Sequence, residues 1–103
     1  MRTYWVYILK CSDDSYYTGV CNNLERRIAE HQQGVDSNCY TYTRRPVECI
    51  FVEDSPTIIE AIEREKQIKK WSRAKKEALI HADYKRLIEL SKSRSRHGST
   101  SSP

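Results

Sequence analysis

A chain of 103 residues with 38% hydrophobic and 31% charged side chains is sized for one modest core and has an ordinary globular composition. It has no apolar run near the about 18 residues that a membrane-spanning helix needs, and it enters strand-like sequence at once, without a signal-peptide pattern; the expectation is a cytoplasmic protein. The formal net charge of +4, from 18 Lys and Arg against 14 Asp and Glu, is too mild to mark a nucleic-acid binder by itself.

Residues 3–11 (TYWVYILKC) are β-branched and aromatic with both faces largely apolar, which predicts a central strand. Ser12-Asp13-Asp14-Ser15 is turn chemistry, and residues 16–20 return as the second strand of a hairpin. A three-residue loop over 13–15 sets Tyr17 opposite Cys11, on the face of Tyr7; a four-residue loop turns it to the other face, and both registers stay open. Asn22 or Asn23 caps a helix, with Glu25 at capping-box spacing from Asn22, and Gly34 stops it after about Gln33. Residues 34–46 read as a loop closed by Pro46, and 47–53 as a third strand. Ser55-Pro56 reads as a cap followed by proline at the first helical position, with the helix running to Lys70 or Trp71. Ser72 caps a further helix through Ile80, and Asp83 opens another to Leu90. From Ser91 onward there are no core-forming residues, so the expected organisation is a domain at 1–90 and a disordered Ser/Arg-rich tail at 91–103.

Cys11, Cys21, Cys39 and Cys49 form no C-x-x-C pair, so zinc finds little support and reduced thiols acting as small hydrophobes are expected. The basic residues are concentrated: Arg64, Lys66, Lys69, Lys70, Arg73, Lys75 and Lys76 share their stretch with Glu65, and Arg44-Arg45 forms a second cluster. Such a concentration suits a phosphate backbone; a solvated helix face fits it equally, and charge alone does not separate the two.

Polar side chains break into two apolar stripes. In the first helix Leu24, Arg27, Ile28 and His31 follow the i, i+3, i+4, i+7 pattern of an inward face. An arginine snorkelling at the core's edge and a structurally satisfied histidine are the bland readings. In the helix after Pro56, Ile58, Ala61, Ile62 and Ile68 form the stripe, and Glu65 falls on it. An inward carboxylate needs a cation, a metal or hydrogen-bond donors; an ion pair with Arg27 is the structural version of that need. If both helices pack on one face of the sheet, tyrosine hydroxyls, arginine, histidine and carboxylate converge. That inventory suits metal-assisted phosphodiester hydrolysis.

These residues resemble the GIY-YIG nuclease domain. Trp5-Val6-Tyr7 stands for its first motif and Tyr17-Thr18-Gly19 for its second, with Trp5 in place of glycine and Thr18 in place of isoleucine; the two motif tyrosines are ten positions apart. Leu24-Glu25-Arg26-Arg27 with His31 resembles the family's first helix, and Arg64 to Arg73 resembles its small, single-domain bacterial branch. The resemblance covers roughly residues 3–80. It implies an α+β fold with a three-stranded antiparallel sheet flanked by helices, and a DNA endonuclease using one divalent metal, magnesium or manganese. Carried over, it makes Glu65 the metal ligand and sets Arg27 on the phosphate or leaving group. Tyr7 and Tyr17 orient or deprotonate water, with His31 as helper or alternative base, and Gly19 allows close backbone approach. Arg44, Arg45, Lys69, Lys70 and Arg73 are the candidate substrate-binding cations. Some family members carry an asparagine after the glutamate; none follows Asn38 here. No appended DNA-binding domain is visible, so a specificity-providing protein partner and a repair-related, structure-specific role are part of the expectation. A non-catalytic nucleic-acid-binding module on the same fold is the alternative. Glu65 separates the two, because a bare inward carboxylate repels phosphate.

Overall fold

The computed structural model describes residues 3–101, with side chains through Lys92. The chain divides into two compact units that meet in sequence between Lys69 and Lys70.

In the first unit, β1 (Tyr4–Lys10), β2 (Tyr16–Cys21) and β3 (Glu48–Ser55) form an antiparallel sheet of order β2-β1-β3, with helices α1 (Leu24–Gln33) and α2 (Ile58–Lys69). The central place of β1 follows from its apolar sequence: Val6, Tyr7, Ile8 and Leu9 are all fully buried, so both faces of the strand are covered. Removing each aliphatic side chain from water contributes about 1.5–3 kcal/mol. On one face Tyr7 and Leu9 cluster with Cys11, Cys21 and Val47, and Leu24 and Ile28 of α1 pack against them. The helix α2 lies across all three strands, with Ala61 and Ile68 fully buried.

The hairpin loop is longer than either expected length. Lys10 pairs with Tyr16 and Leu9 with Tyr17, leaving residues 11–15 outside the ladder. The Cys11 amide donates to Ser15 O at 2.9 Å, and Asp13 Oδ1 accepts from the Ser15 amide at 3.1 Å. Asp14 takes φ of 67° there, a left-handed conformation that aspartate tolerates. Pairing with Leu9 keeps Tyr17 on the face of Tyr7, because alternate residues share a face. Between β1 and β3 the register shifts after Ile8, which pairs with Phe51 while Leu9 pairs with Cys49. Ile50 is thus the extra residue of a bulge.

The caps follow local chemistry. Asn23 caps α1 through the Arg26 amide, and Gly34 ends the helix at φ 71° in the left-handed region that glycine adopts freely. One expectation is corrected: β3 runs through Ser55, so Ser55-Pro56 does not open α2. Thr57 does, accepting the Glu60 amide at 3.2 Å on Oγ1 while Glu60 Oε2 accepts the Thr57 hydroxyl at 2.9 Å.

The second unit holds α3 (Arg73–Ile80) and α4 (Tyr84–Ser101), packed on each other. Ser72 caps α3 through the Lys75 amide, and Asp83 caps α4 through the Arg86 amide. The basic stretch from Arg64 to Lys76 is therefore two helices with a break between them. The helix α4 continues past Leu90; beyond Lys92 the expected tail falls on residues whose side chains lie outside those described. Among the described residues, no helix is long and apolar enough to cross a membrane.

Candidate active site

The sheet face that carries Tyr7 and Tyr17 meets α1 where His31 turns inward. Tyr7 Oη lies 2.9 Å from His31 Nε2, in a buried contact. The Tyr17 ring lies 6.4 Å from that of Tyr7, and His31 meets both rings edge-on, at 5.8 Å from Tyr7 and 5.2 Å from Tyr17. On its other side His31 Nδ1 lies 2.8 Å from Thr41 Oγ1 and 3.8 Å from Cys39 Sγ. This cluster opens on a cavity of about 330 Å³ between α1 and the segment after it, lined by Tyr17, Arg27, Glu30, His31, Cys39 and Thr41 among others.

Tyr7 can occupy this place because of Gly19, its cross-strand partner. A Cβ on Gly19 would fall on the Tyr7 hydroxyl end, so the phenol fills the space that the glycine leaves open.

Arg27 is at the rim rather than in the core, with 44% of its side chain exposed and its Nε 3.3 Å from Glu30 Oε1. Its guanidinium still acts on the Tyr7 hydroxyl. Arg26 reaches the same Glu30 at 3.2 Å. Glu65 has 16% of its side chain exposed and pairs with Lys69 at 3.2 Å, not with Arg27. It lies close enough to Tyr17 to oppose ionisation of the phenol, and the Lys69 ammonium sits 6.0 Å from the Tyr17 ring centre. Tyr7, Tyr17, Arg27, His31 and Glu65 thus meet within the first unit, with Lys69 beside them.

Burial, and then the neighbouring Tyr17, push the Tyr7 phenol far above its ordinary range, against the pull of Arg27. Burial, then Cys39 and Glu65, push Tyr17 up to about 12. Burial, then Arg27, pull His31 below the ordinary histidine range, with Glu30 opposing. At neutral pH the site therefore holds two protonated phenols around an uncharged imidazole.

The other expected cations have different surroundings. Arg44 lies 3.8 Å above the Tyr40 ring and pairs with Asp13 at 3.1 Å. Tyr40 in turn stacks on Tyr17 with ring centres 6.2 Å apart, so Arg44 supports Tyr17 at one remove. Arg45 donates to Tyr42 O at 2.9 Å and Gln32 O at 3.2 Å, holding the segment after α1 to the helix end. Lys70 and Arg73 belong to the second unit, where Arg73 pairs with Glu77 at 3.1 Å.

Thr41, Cys39 and Tyr40 were invisible as site residues in the sequence, because residues 34–46 carry no periodicity. The available signal was the alternation of rings and hydroxyls in Tyr40-Thr41-Tyr42-Thr43. Among the described residues no group of three His, Cys, Asp or Glu side chains could hold a metal ion.

A UPF0213 protein of Natronomonas pharaonis is 46% identical over 77 residues, spanning 75% of this chain and 89% of its own length. A UPF0213 protein of Syntrophus aciditrophicus is 42% identical over 87 residues, covering 84% of this chain and 100% of that protein. Relatives of this kind occur in archaea as well as bacteria, a wider spread than the bacterial branch of the resemblance. The solution NMR structure of the UPF0213 protein BH0048 from Bacillus halodurans superposes with a TM-score of 0.52 at 36% identity, covering 86% of this chain and 97% of that one. The solution NMR structure of protein EF2693 from E. faecalis gives 0.57 at 32% identity, covering 82% and 88%. The GIY-YIG catalytic domain matches residues 3–78, which hold the sheet, both helices of the first unit and the whole tyrosine–histidine cluster; the chain belongs to the GIY-YIG family.

Proposed function

We propose that this chain is a divalent-metal-dependent endonuclease that hydrolyses DNA phosphodiester bonds. The observation that carries the reading is the buried 2.9 Å contact between the Tyr7 hydroxyl and an uncharged His31, set beside a cavity that Arg27 and Tyr17 also line. Both phenols hold their protons at neutral pH. The base of the cluster is therefore His31, and Tyr7 is the relay through which it acts on water. His31 Nε2 takes the Tyr7 proton as the phenol takes one from water, and the resulting hydroxide attacks phosphorus. Tyr17 orients the water, and Arg27, half exposed, neutralises the phosphate.

Glu65 is the residue that would hold a divalent cation, as a single protein carboxylate. Its carboxylate is largely sheltered, and it pairs with the half-exposed Lys69 of the same helix. Magnesium is commonly held in this way, through one or two carboxylates plus substrate. Such an ion supplies Lewis-acid neutralisation of the phosphate and a more acidic water. Lys69, with its ammonium 6.0 Å from the Tyr17 ring centre, would be a phosphate contact beside it. The target choice is expected to be structure-specific and repair-related, with a protein partner contributing to recognition.

The reading is tested on labelled single-stranded, duplex, flap and four-way DNA, with magnesium, with manganese and with chelator. Metal-dependent cutting of at least one substrate is the expected result. Salt-sensitive binding without cutting on all of them would instead support a binding module.

A further inference from the structure

We propose that Thr41 is a positioning residue for the Tyr7–His31 pair: its hydroxyl fixes His31 in the Nδ1–H tautomer and so presents an unprotonated Nε2 to the Tyr7 hydroxyl. The inference rests on the reading of that pair as the proton-handling centre.

Thr41 is 1% exposed, and a 3₁₀ turn over Tyr42–Arg44 holds its backbone, the Tyr42 amide donating to Cys39 O and the Arg44 amide to Thr41 O, each at 3.0 Å. Its Oγ1 has two polar neighbours, Cys39 Sγ at 3.4 Å and His31 Nδ1 at 2.8 Å. A hydroxyl has one hydrogen to give. With that hydrogen assigned to Cys39, the contact with His31 is one in which Thr41 accepts and Nδ1–H donates. A neutral imidazole carries one N–H, which leaves the lone pair on Nε2, and the 2.9 Å contact there takes its hydrogen from Tyr7. The donors thus run in one direction, from Tyr7 to His31 to Thr41 to Cys39.

The opposite order would have Thr41 donate to Nδ1 and Nε2–H donate to Tyr7. His31 then has no free lone pair facing the phenol and cannot act as its base. In the assigned order the Tyr7 O–H bond breaks as the Nε2–H bond forms. The imidazolium keeps its Nδ1–H on Thr41 Oγ1, and the phenol regains a proton from the attacking water. His31 returns its extra proton to the leaving oxygen or to solvent. Thr41 exchanges no proton; it acts through His31. Tyr7, Tyr17, Arg27, Glu30 and Cys39 are the other titratable or charged groups around the ring.

The test uses the full chain with ¹⁵N-labelled histidine, as wild type, Thr41→Val and Thr41→Ser. Ring-nitrogen shifts above the titration of His31 report which nitrogen carries the hydrogen. Wild type and Thr41→Ser are expected to show Nδ1 protonated and Nε2 bare, and Thr41→Val to shift toward Nε2–H. In cleavage assays Thr41→Val should lower kcat by about tenfold or more with KM little changed, up to the ~10²–10⁴ that a general base contributes, and Thr41→Ser should restore it. Nε2–H in the wild type overturns the proposal even if Thr41→Val fails to fold. So does a folded Thr41→Val protein that keeps the Nδ1–H form and full kcat. A wild type that cuts no DNA sinks the nuclease reading instead, and the tautomer result stands apart from it.

Discussion

Thr18 shows what the second motif demands of its strand. It is 3% exposed, and its Oγ1 is a buried side-chain oxygen with no hydrogen-bond partner. It stands where the family motif carries isoleucine, pairs with Ile8 and points away from the Tyr7 face. An unsatisfied buried hydroxyl costs about 1–3 kcal/mol, so Thr18→Val, which keeps the shape, should stabilise the domain by about 1 kcal/mol and raise its melting temperature by roughly 4 °C or more. A lower melting temperature would show that the hydroxyl is satisfied. His31 makes the opposite bargain, fully bonded yet held uncharged. Its folded pKa lies below the unfolded value of about 6.5, so the unfolded chain binds the extra proton first. The stability it contributes is whole above pH 6.5 and is lost as pH falls through its folded pKa. His31→Gln should flatten this part of the melting-temperature profile; an unchanged slope would assign the dependence elsewhere. At this scale Tyr7, Tyr17, His31 and Glu65 were legible as polar groups or motif rings within apolar stripes. For Arg27 the sequence left an inward place and an edge place open, because helical spacing fixes a direction and not the depth at which the side chain ends; the structure puts it at the edge.

At the scale of elements, regular periodicity read through to structure and irregular backbone did not. The burial of β1 on both faces follows from its run of apolar residues, and the stop at Gly34 and the caps at Ser72 and Asp83 follow from local chemistry that acts within a few residues. The start of α2 was misread because Ser55-Pro56 and Thr57-x-x-Glu60 are both sound opening signals, and pairing of Ser55 with Tyr4 decides between them. The hairpin loop exceeded its expected length because Cys11 bonds Ser15 across the turn rather than pairing in the ladder. The end of α3 also departs from the usual chemistry: the Asp83 amide reaches Ala78 O at 2.8 Å and the Ala82 amide reaches Leu79 O at 3.0 Å, with Ala82 at φ 55° where glycine is the common choice. Ala82→Gly should therefore stabilise the second unit by up to about 1 kcal/mol, seen as slower amide exchange in α3; faster exchange would mean that the Ala82 methyl is packed.

For the molecule as a whole, charge was the least informative part of the sequence. The basic run is shared between α2 and α3, and several of its members have carboxylate partners: Arg64 with Glu53 at 2.9 Å, Lys69 with Glu65, and Arg73 with Glu77. Arg44 and Arg45 brace the segment after α1. What distinguishes the molecule is a small set of groups from β1, β2, α1 and α2 that gather around Tyr17: Tyr7 and His31 against its ring, Arg27 beside it in the cavity lining, and Glu65 close enough to act on its phenol. That placement is the centre of the account. The measurement that tests it most directly is single-turnover cleavage beside equilibrium binding, for wild type and Glu65→Gln, on a DNA that the wild type cuts. The account predicts that Glu65→Gln binds this DNA within a few-fold of wild type in chelator, while magnesium-dependent cleavage falls by about 10²-fold or more. Cleavage at the wild-type rate by Glu65→Gln would remove Glu65 from the metal site and contradict the mechanism.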